Sequence, residues 1–342
     1  MRFRPSWLIA AYILAFVSGQ LDTSAAWGQD QGRRDEEGGI VCNDDSPQTK
    51  FYVRADSLFL DYGRAASGQP VVVRNDPNNS NQVVLRSSDA AVGMQYGPQI
   101  TFGVHRSACV SWEFSYFGLF GGDGQATALG NNNLALPGTL GLASIDFFNT
   151  DRMQVDSSAE MHSFEINRLR HIDHWTVLAG FRYLRYTDSL RIESLDEGTD
   201  PAEYSLGAEN HLFGMQGGLQ YKNAVGSLGW HVGGKAGVFG NSASQLQFVT
   251  DSPNPNPPFF LRSPVEQTQG QVAFVGEVDL GLCYQVSPAL RIRGGYRLLW
   301  IEGVTLSANQ LDFRDVPISE IDMKSGGGMF LHGVTLGVEG TW

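Results

Sequence analysis

The sequence predicts an all-β chain: an antiparallel, up-and-down transmembrane β-barrel of about ten strands, with short periplasmic turns and long extracellular loops. Three observations predict it. First, the last thirteen residues alternate. Phe330, His332, Val334, Leu336, Val338, Gly340 and Trp342 share one face, and Leu331, Gly333, Thr335, Gly337, Glu339 and Thr341 share the other. A period of two that closes on a terminal aromatic is a strand with one apolar and one wet side. Second, similar segments recur, and their connections alternate between three to five residues and twenty or more. A soluble sandwich has no reason to sort its loops so regularly, whereas an outer-membrane barrel keeps periplasmic turns short and extracellular loops long. Third, no run beyond the N-terminus is apolar enough to be a spanning helix, so strands must do any spanning.

The N-terminus reads as an export signal. Arg2 and Arg4 precede an apolar run, Trp7 to Val17, and small residues follow at Ser24, Ala25 and Ala26. Eleven apolar residues are too few for a bilayer core that needs about 20 as a helix, so residues 1–28 are expected to be a cleaved signal peptide. Residues 29–49 are charged and Gly-rich, a disordered periplasmic lead-in, and 50–342 form the barrel. The expected location is the bacterial outer membrane.

Composition agrees. A mean hydropathy of −0.18 would suggest a soluble protein if only helices crossed membranes, but half of every barrel strand is polar. Forty-one Gly suit curved strands and lumen positions facing a bulky neighbour. Eleven Tyr and seven Trp suit the two interfacial girdles. A net charge of −12 without basic patches argues against nucleic acid. The expected partners are outer-membrane lipid and, through the C-terminal strand ending in Trp342, the barrel-assembly machinery.

The elements follow in order. Lys50–Tyr62 is the first strand, and an Asn/Asp/Ser-rich connection runs to about Met94. Tyr96–Arg106 turns at 106–108 into Cys109–Phe120, where Val110, Trp112, Phe114 and Tyr116 oppose Ser111, Glu113 and Ser115. A fourth strand ends near Leu169, and the turn at 170–173 leads to Trp175–Tyr186. His211–Lys222 turns at 223–226 into a seventh strand carrying His231 and Lys235 on its wet face. Gln271–Tyr284 turns at 285–287 into Pro288–Ile301, and the terminal strand makes ten. Twelve results if part of 121–158 or 241–250 adds a hairpin. The connections 63–95 and 121–158 read as mobile, solvated surface.

Four of these segments are similar to a known family. "FYVRADSLFLDYG" at 51–63, "LAGFRYLRYTDSL" at 178–190, "LRIRGGYRLLWIEGV" at 290–304 and "GVTLGVEGTW" at 333–342 resemble the putative beta-barrel porin family 7 of bacterial outer membranes. The resemblance runs from about residue 50 to the end. It implies a porin, and because the motifs are structural it implies no solute.

The inward positions are the candidate site. They are Arg54, Asp56, Glu113, Glu165, Arg182, His231, Lys235, Glu277, Asp279, Arg291, Arg293, Arg297 and Glu339. Matching faces across the short turn before Pro288 sets either Asp279 opposite Arg293 or Glu277 opposite Arg297, so an acidic face meets an arginine ladder. One reading is a charged constriction selecting ions or small anions. The other is a packed salt-bridge interior that seals a narrow barrel, which ten strands favour because eight are already filled by their own side chains.

Other chemistry is weakly supported. Asp61, Asp188 and His211 lie near strand tops, but 36 acids and seven His make such coincidences cheap, and no enzymatic activity is expected. His171-Ile172-Asp173-His174 has no third ligand at useful spacing, so it reads as a solvated turn. Gly122-Asp123-Gly124 lacks the strand-to-helix context of a phosphate loop. No cofactor or metal is expected. Cys42, Cys109 and Cys283 leave one thiol over, and a Cys109–Cys283 pair is one arrangement. The Pro-rich 251–264 segment presents Phe259 and Phe260 for protein contact or lumen packing. The expected function is a narrow or gated pore for ions or small solutes. The alternative is a non-conducting surface or adhesion protein acting through its loops.

Overall fold

Twelve strands account for nearly all the regular structure of the computed structural model. It describes residues 50–342 apart from 64–67, 76–81, 108, 141–145, 196–200, 252–258 and 317–319. The strands are β1 (Lys50–Gly63), β2 (Pro70–Arg74), β3 (Gln82–Arg86), β4 (Gln95–Ser107), β5 (Val110–Ala135), β6 (Phe148–Ile172), β7 (Trp175–Leu195), β8 (Ala202–Val225), β9 (Leu228–Asp251), β10 (Phe259–Ser287), β11 (Leu290–Val304) and β12 (Gly327–Thr341). Ten of them close a ring. β4 to β12 pair in sequence order, β1 pairs with both β4 and β12, and the β2–β3 hairpin attaches only to the end of β5. The expected signal peptide and lead-in lie outside the described residues.

The face assignments follow the alternation. Trp175, Val177 and Phe181 on β7 are exposed, while Thr176 and Arg182 on its other face are buried. The outward apolar belt has recognisable edges. Below, Trp175, Tyr221 and Trp230 form an aromatic cluster with centroids 5.0 and 5.3 Å apart. Above, three tyrosines hydrogen-bond histidines on the neighbouring strand: Tyr116 with His162 (3.0 Å), Tyr183 with His211 (2.9 Å) and Tyr296 with His332 (2.7 Å). Amphipathic rings of this kind mark the two membrane interfaces. On β7 the membrane-spanning segment is therefore 175–183. Beyond it the outer surface carries ion pairs such as Arg185–Glu209 at 2.6 Å.

Strand lengths depart from expectation. β5 to β10 run well past the upper girdle, so most of 121–135 and 148–158 is paired β-structure and not mobile loop. Their inner face stays apolar above the membrane, with Leu134, Met153, Val155, Ile192, Tyr204 and Val249 packed together. A wall with a buried inner side has reason to remain strand. The long connection before Met94 also folds, into the β2–β3 hairpin, whose Val71 and Val72 are fully buried in that cluster.

Register differs from both arrangements drawn from the sequence. The turn occupies Pro288 and Ala289, not 285–287, so β10 continues to Ser287 and a bulge at Gln285–Ser287 follows. Asp279 consequently faces Arg297, Glu277 faces Leu299, and Arg293 faces Cys283. The turns at Asp173 and Gly226 are equally tight and place those residues in the left-handed region, at φ 54° and 61°. At these turns backbone geometry explains the residue, since Gly and Asp tolerate that region best.

Glycine facing a bulky neighbour recurs as expected. The Tyr52 ring lies across Gly103 and the His231 ring across Gly281, each at a directly paired position. Gly333 is tighter still: a Cβ there would come within 1.9 Å of the Phe59 carbonyl oxygen, whereas at Gly270 it would meet nothing within 4 Å. Gly333→Val should therefore lower the yield of heat-modifiable folded barrel on SDS gels severalfold, a cost of about 1–3 kcal/mol. Gly270→Ala should leave the yield unchanged.

Candidate functional site

Each inward charge named from the sequence faces the interior, and most are gathered into two connected layers. The lower layer centres on Glu339. Its Oε2 accepts from Arg54 Nε at 2.7 Å and Arg293 Nη1 at 2.8 Å, and its Oε1 accepts from Arg291 Nη1 at 2.8 Å. Arg54 also reaches Glu113 (3.1 Å), which accepts from the Tyr52 hydroxyl. Asp56 sits between the layers beside Gly337.

The upper layer is deeper. Lys235 Nζ donates to both oxygens of Glu165 (2.9 and 2.8 Å) and lies 3.4 Å from Glu277. Arg182, with no solvent exposure, contacts Glu165 (3.4 Å), Glu277 (3.1 Å) and the Ser163 hydroxyl (2.9 Å). Arg297 joins Glu277 (3.3 Å), Asp279 (3.1 Å) and the Gln99 side-chain oxygen (2.7 Å). His231 Nε2 sits 2.7 Å from Asp279. Gln216 and Asn167 supply further donors to Glu165. A carboxylate with two or more cations is held in place by them, and its removal leaves those cations without a partner. The space left among these side chains is about 120 Å³.

Directly above, the lumen turns apolar. Leu58, Phe117, Met161, Leu184, Phe239 and Leu299 pack across it. Residues 305–316, in the connection between β11 and β12, then fold inward over this layer. Asn210 and Thr305 exchange hydrogen bonds of 2.8 Å in both directions, and the Tyr204 hydroxyl and Arg262 both donate to the Asp312 carbonyl. Asp188 on β7 accepts from the Ser307 amide at 2.8 Å and from its hydroxyl. This inward segment had no signal in the sequence, because its polar residues look like those of any surface loop.

The other candidates separate. Asp188 points inward while Asp61 and His211 point outward, so the three do not converge. The ring nitrogens of His171 are engaged by Ser111 (2.7 Å) and Thr176 (3.0 Å). Cys109 is disulfide-bonded and Cys283 is free, so the Cys109–Cys283 arrangement is not formed. Phe259 and Phe260 open β10 and are strand residues, not a loop tip. Phe260 is exposed, edge-on to Phe248 at 6.1 Å, and the prolines of 252–258 lie outside the described residues. Trp342 stands exposed at the turn end, its backbone exchanging two 3.0 Å hydrogen bonds with Phe51.

A closed antiparallel ring with a lipid-facing belt, two girdles and a filled interior defines an outer-membrane β-barrel protein. The chain belongs to the family described as Putative beta barrel porin-7, whose model matches residues 73–342. Solved structures with a similar course include the outer membrane protease OmpT from Escherichia coli, at 11% identity and TM-score 0.42, over 88% of this chain and 100% of that one. The Ralstonia pickettii toluene transporter TbuX matches at 13% identity and TM-score 0.31, over 86% and 73%. A major outer membrane protein from Thermus thermophilus matches at 10% identity and TM-score 0.31, over 86% and 99%. At such identities the likeness is one of fold alone. No curated protein matches the sequence.

Two predictions follow from burial. Glu339 is buried and binds three arginines, whereas the Arg291 side chain is 30% exposed. Glu339→Gln should cost about 3–5 kcal/mol of stability in urea unfolding, because it strands buried guanidinium groups. Arg291→Gln should cost under about 1 kcal/mol. Asp188 lies above the girdle, and burial pushes its carboxyl up to about 7. The folded state then holds a proton that the unfolded chain releases near pH 4, so stability falls as pH rises from about 4 to about 7. The thermal midpoint should drop over that window in the wild type and stay flatter in Asp188→Asn, whose amide oxygen still accepts from Ser307.

Proposed function

We propose that this protein is a closed outer-membrane barrel that acts through its extracellular extension, and not an open diffusion pore. One observation carries the reading: a solute would have to cross an ion-pair layer, an apolar layer and the inward 305–316 segment in succession. Displacing the first exposes buried charge and displacing the second opens a packed core, and neither yields to thermal motion alone. The strands β5–β10 that outrun the membrane supply the surface on which an adhesive or structural role would rest. Phe260, exposed at the upper rim, belongs to the surface a protein partner would meet. Trp342, exposed at the opposite rim, suits recognition by the barrel-assembly machinery.

A second reading, a gated pore, draws support from the way 305–316 is held: by hydrogen bonds to the walls and by a few apolar contacts. Both readings are separated by single-channel recording of the detergent-refolded protein in planar bilayers. A closed barrel stays silent while gel shift confirms folding. Discrete, reproducible conductance steps from the wild type would overturn it in favour of the pore, and altered ion selectivity in Arg297→Gln would then place the filter in the upper charged layer.

A further inference from the structure

Below the arginine layer the lumen widens into a vestibule of about 450 Å³ that opens between the short turns, on the periplasmic side. Arg54, Arg291, Arg293 and Lys222 line it, with Glu339 the one carboxylate among its walls. Glu339 is already shared by three guanidinium groups at 2.7–2.8 Å. Lys222 has no carboxylate within 4.0 Å among the described residues, and its neighbour across β9 is His231. With Glu113, which pairs with Arg54 at 3.1 Å, four cations meet two carboxylates, a local positive excess in a chain of net charge −12. Such a concavity with low-dielectric walls concentrates anions.

We propose that this vestibule is a binding site for a compact, multivalent, soluble anion of the periplasm, a phosphate-bearing solute in particular. Guanidinium forks match phosphate oxygens in pairs, and a lysine adds a mobile point charge. The volume lies within the range of small-molecule pockets. Lipid headgroups are not the source, because lipid meets the opposite face of every strand. The ion-pair layer forms the floor, so the solute enters and leaves by one door. That dead end rests on the closed-lumen reading. The binding site itself does not, and calorimetry tests it independently of conductance.

The test is isothermal titration of the refolded full chain with inorganic pyrophosphate and with inorganic phosphate, at low salt and at about 0.5 M NaCl, where exposed charges are strongly screened. The expected result is saturable one-to-one binding of pyrophosphate, weaker binding of phosphate, and marked weakening by salt. Lys222→Gln should weaken pyrophosphate roughly tenfold, the loss of one charge-assisted contact. Lys222→Arg should restore it, and Arg185→Gln, outside the lumen, should leave it unchanged. Absence of saturable binding to a barrel shown folded by gel shift would overturn the proposal. So would binding that Lys222→Gln and Arg293→Gln both leave intact.

Discussion

Ring closure is the constraint on which everything else in this molecule depends. In hydrocarbon no water satisfies a strand's free amides and carbonyls, so the last strand must find the first. β12 does so along most of its length, from Tyr52 opposite Thr341 to Gly63 opposite Phe330. Once the ring is closed, each strand has two fates only. Outward residues meet lipid and inward residues meet one another. With ten strands the inward set must fill a narrow cylinder, and large side chains fit only where a paired glycine yields space, as Gly103 does for Tyr52.

The filling changes character with height. Near the periplasm it is charged, and each buried arginine is tolerated because two carboxylates converge on it. Arg182 contacts groups on β6 and β10, and Arg297 groups on β10 and β4, so the network cross-links walls that share no backbone bonds. Higher up the filling is apolar and continues past the membrane, where β5–β10 have no lipid to satisfy but still have a core to enclose. The inward 305–316 segment follows from the same demand. β11 and β12 end near the upper girdle, so that side of the apolar core would face water unless the connection between them covered it.

Much of this was legible along the chain. Strand number, the inward or outward assignment of Arg54, Glu113, Arg182, Lys235 and Glu339, and the sorting of short from long connections all come from period-two alternation, a local property. The partners of those charges were not legible. Asp279 meets Arg297 because the turn falls at Pro288–Ala289, and a shift of two residues leaves every face unchanged while altering every pair. Lys222 escaped notice for a related reason. It closes a predicted strand at a polar turn, and only its neighbours on other strands make it part of a basic vestibule.

The sequence by itself therefore determined that this chain crosses a membrane as strands, about how many there are, and which side chains face inward, because alternation is written into each strand separately. Tertiary structure alone decided register, the length of the extracellular wall and the inward course of 305–316. Those depend on contacts between residues far apart in the chain, such as Arg54 and Glu339, 285 positions apart. Contacts of that range arise only when the ring closes and brings the ends of the chain side by side.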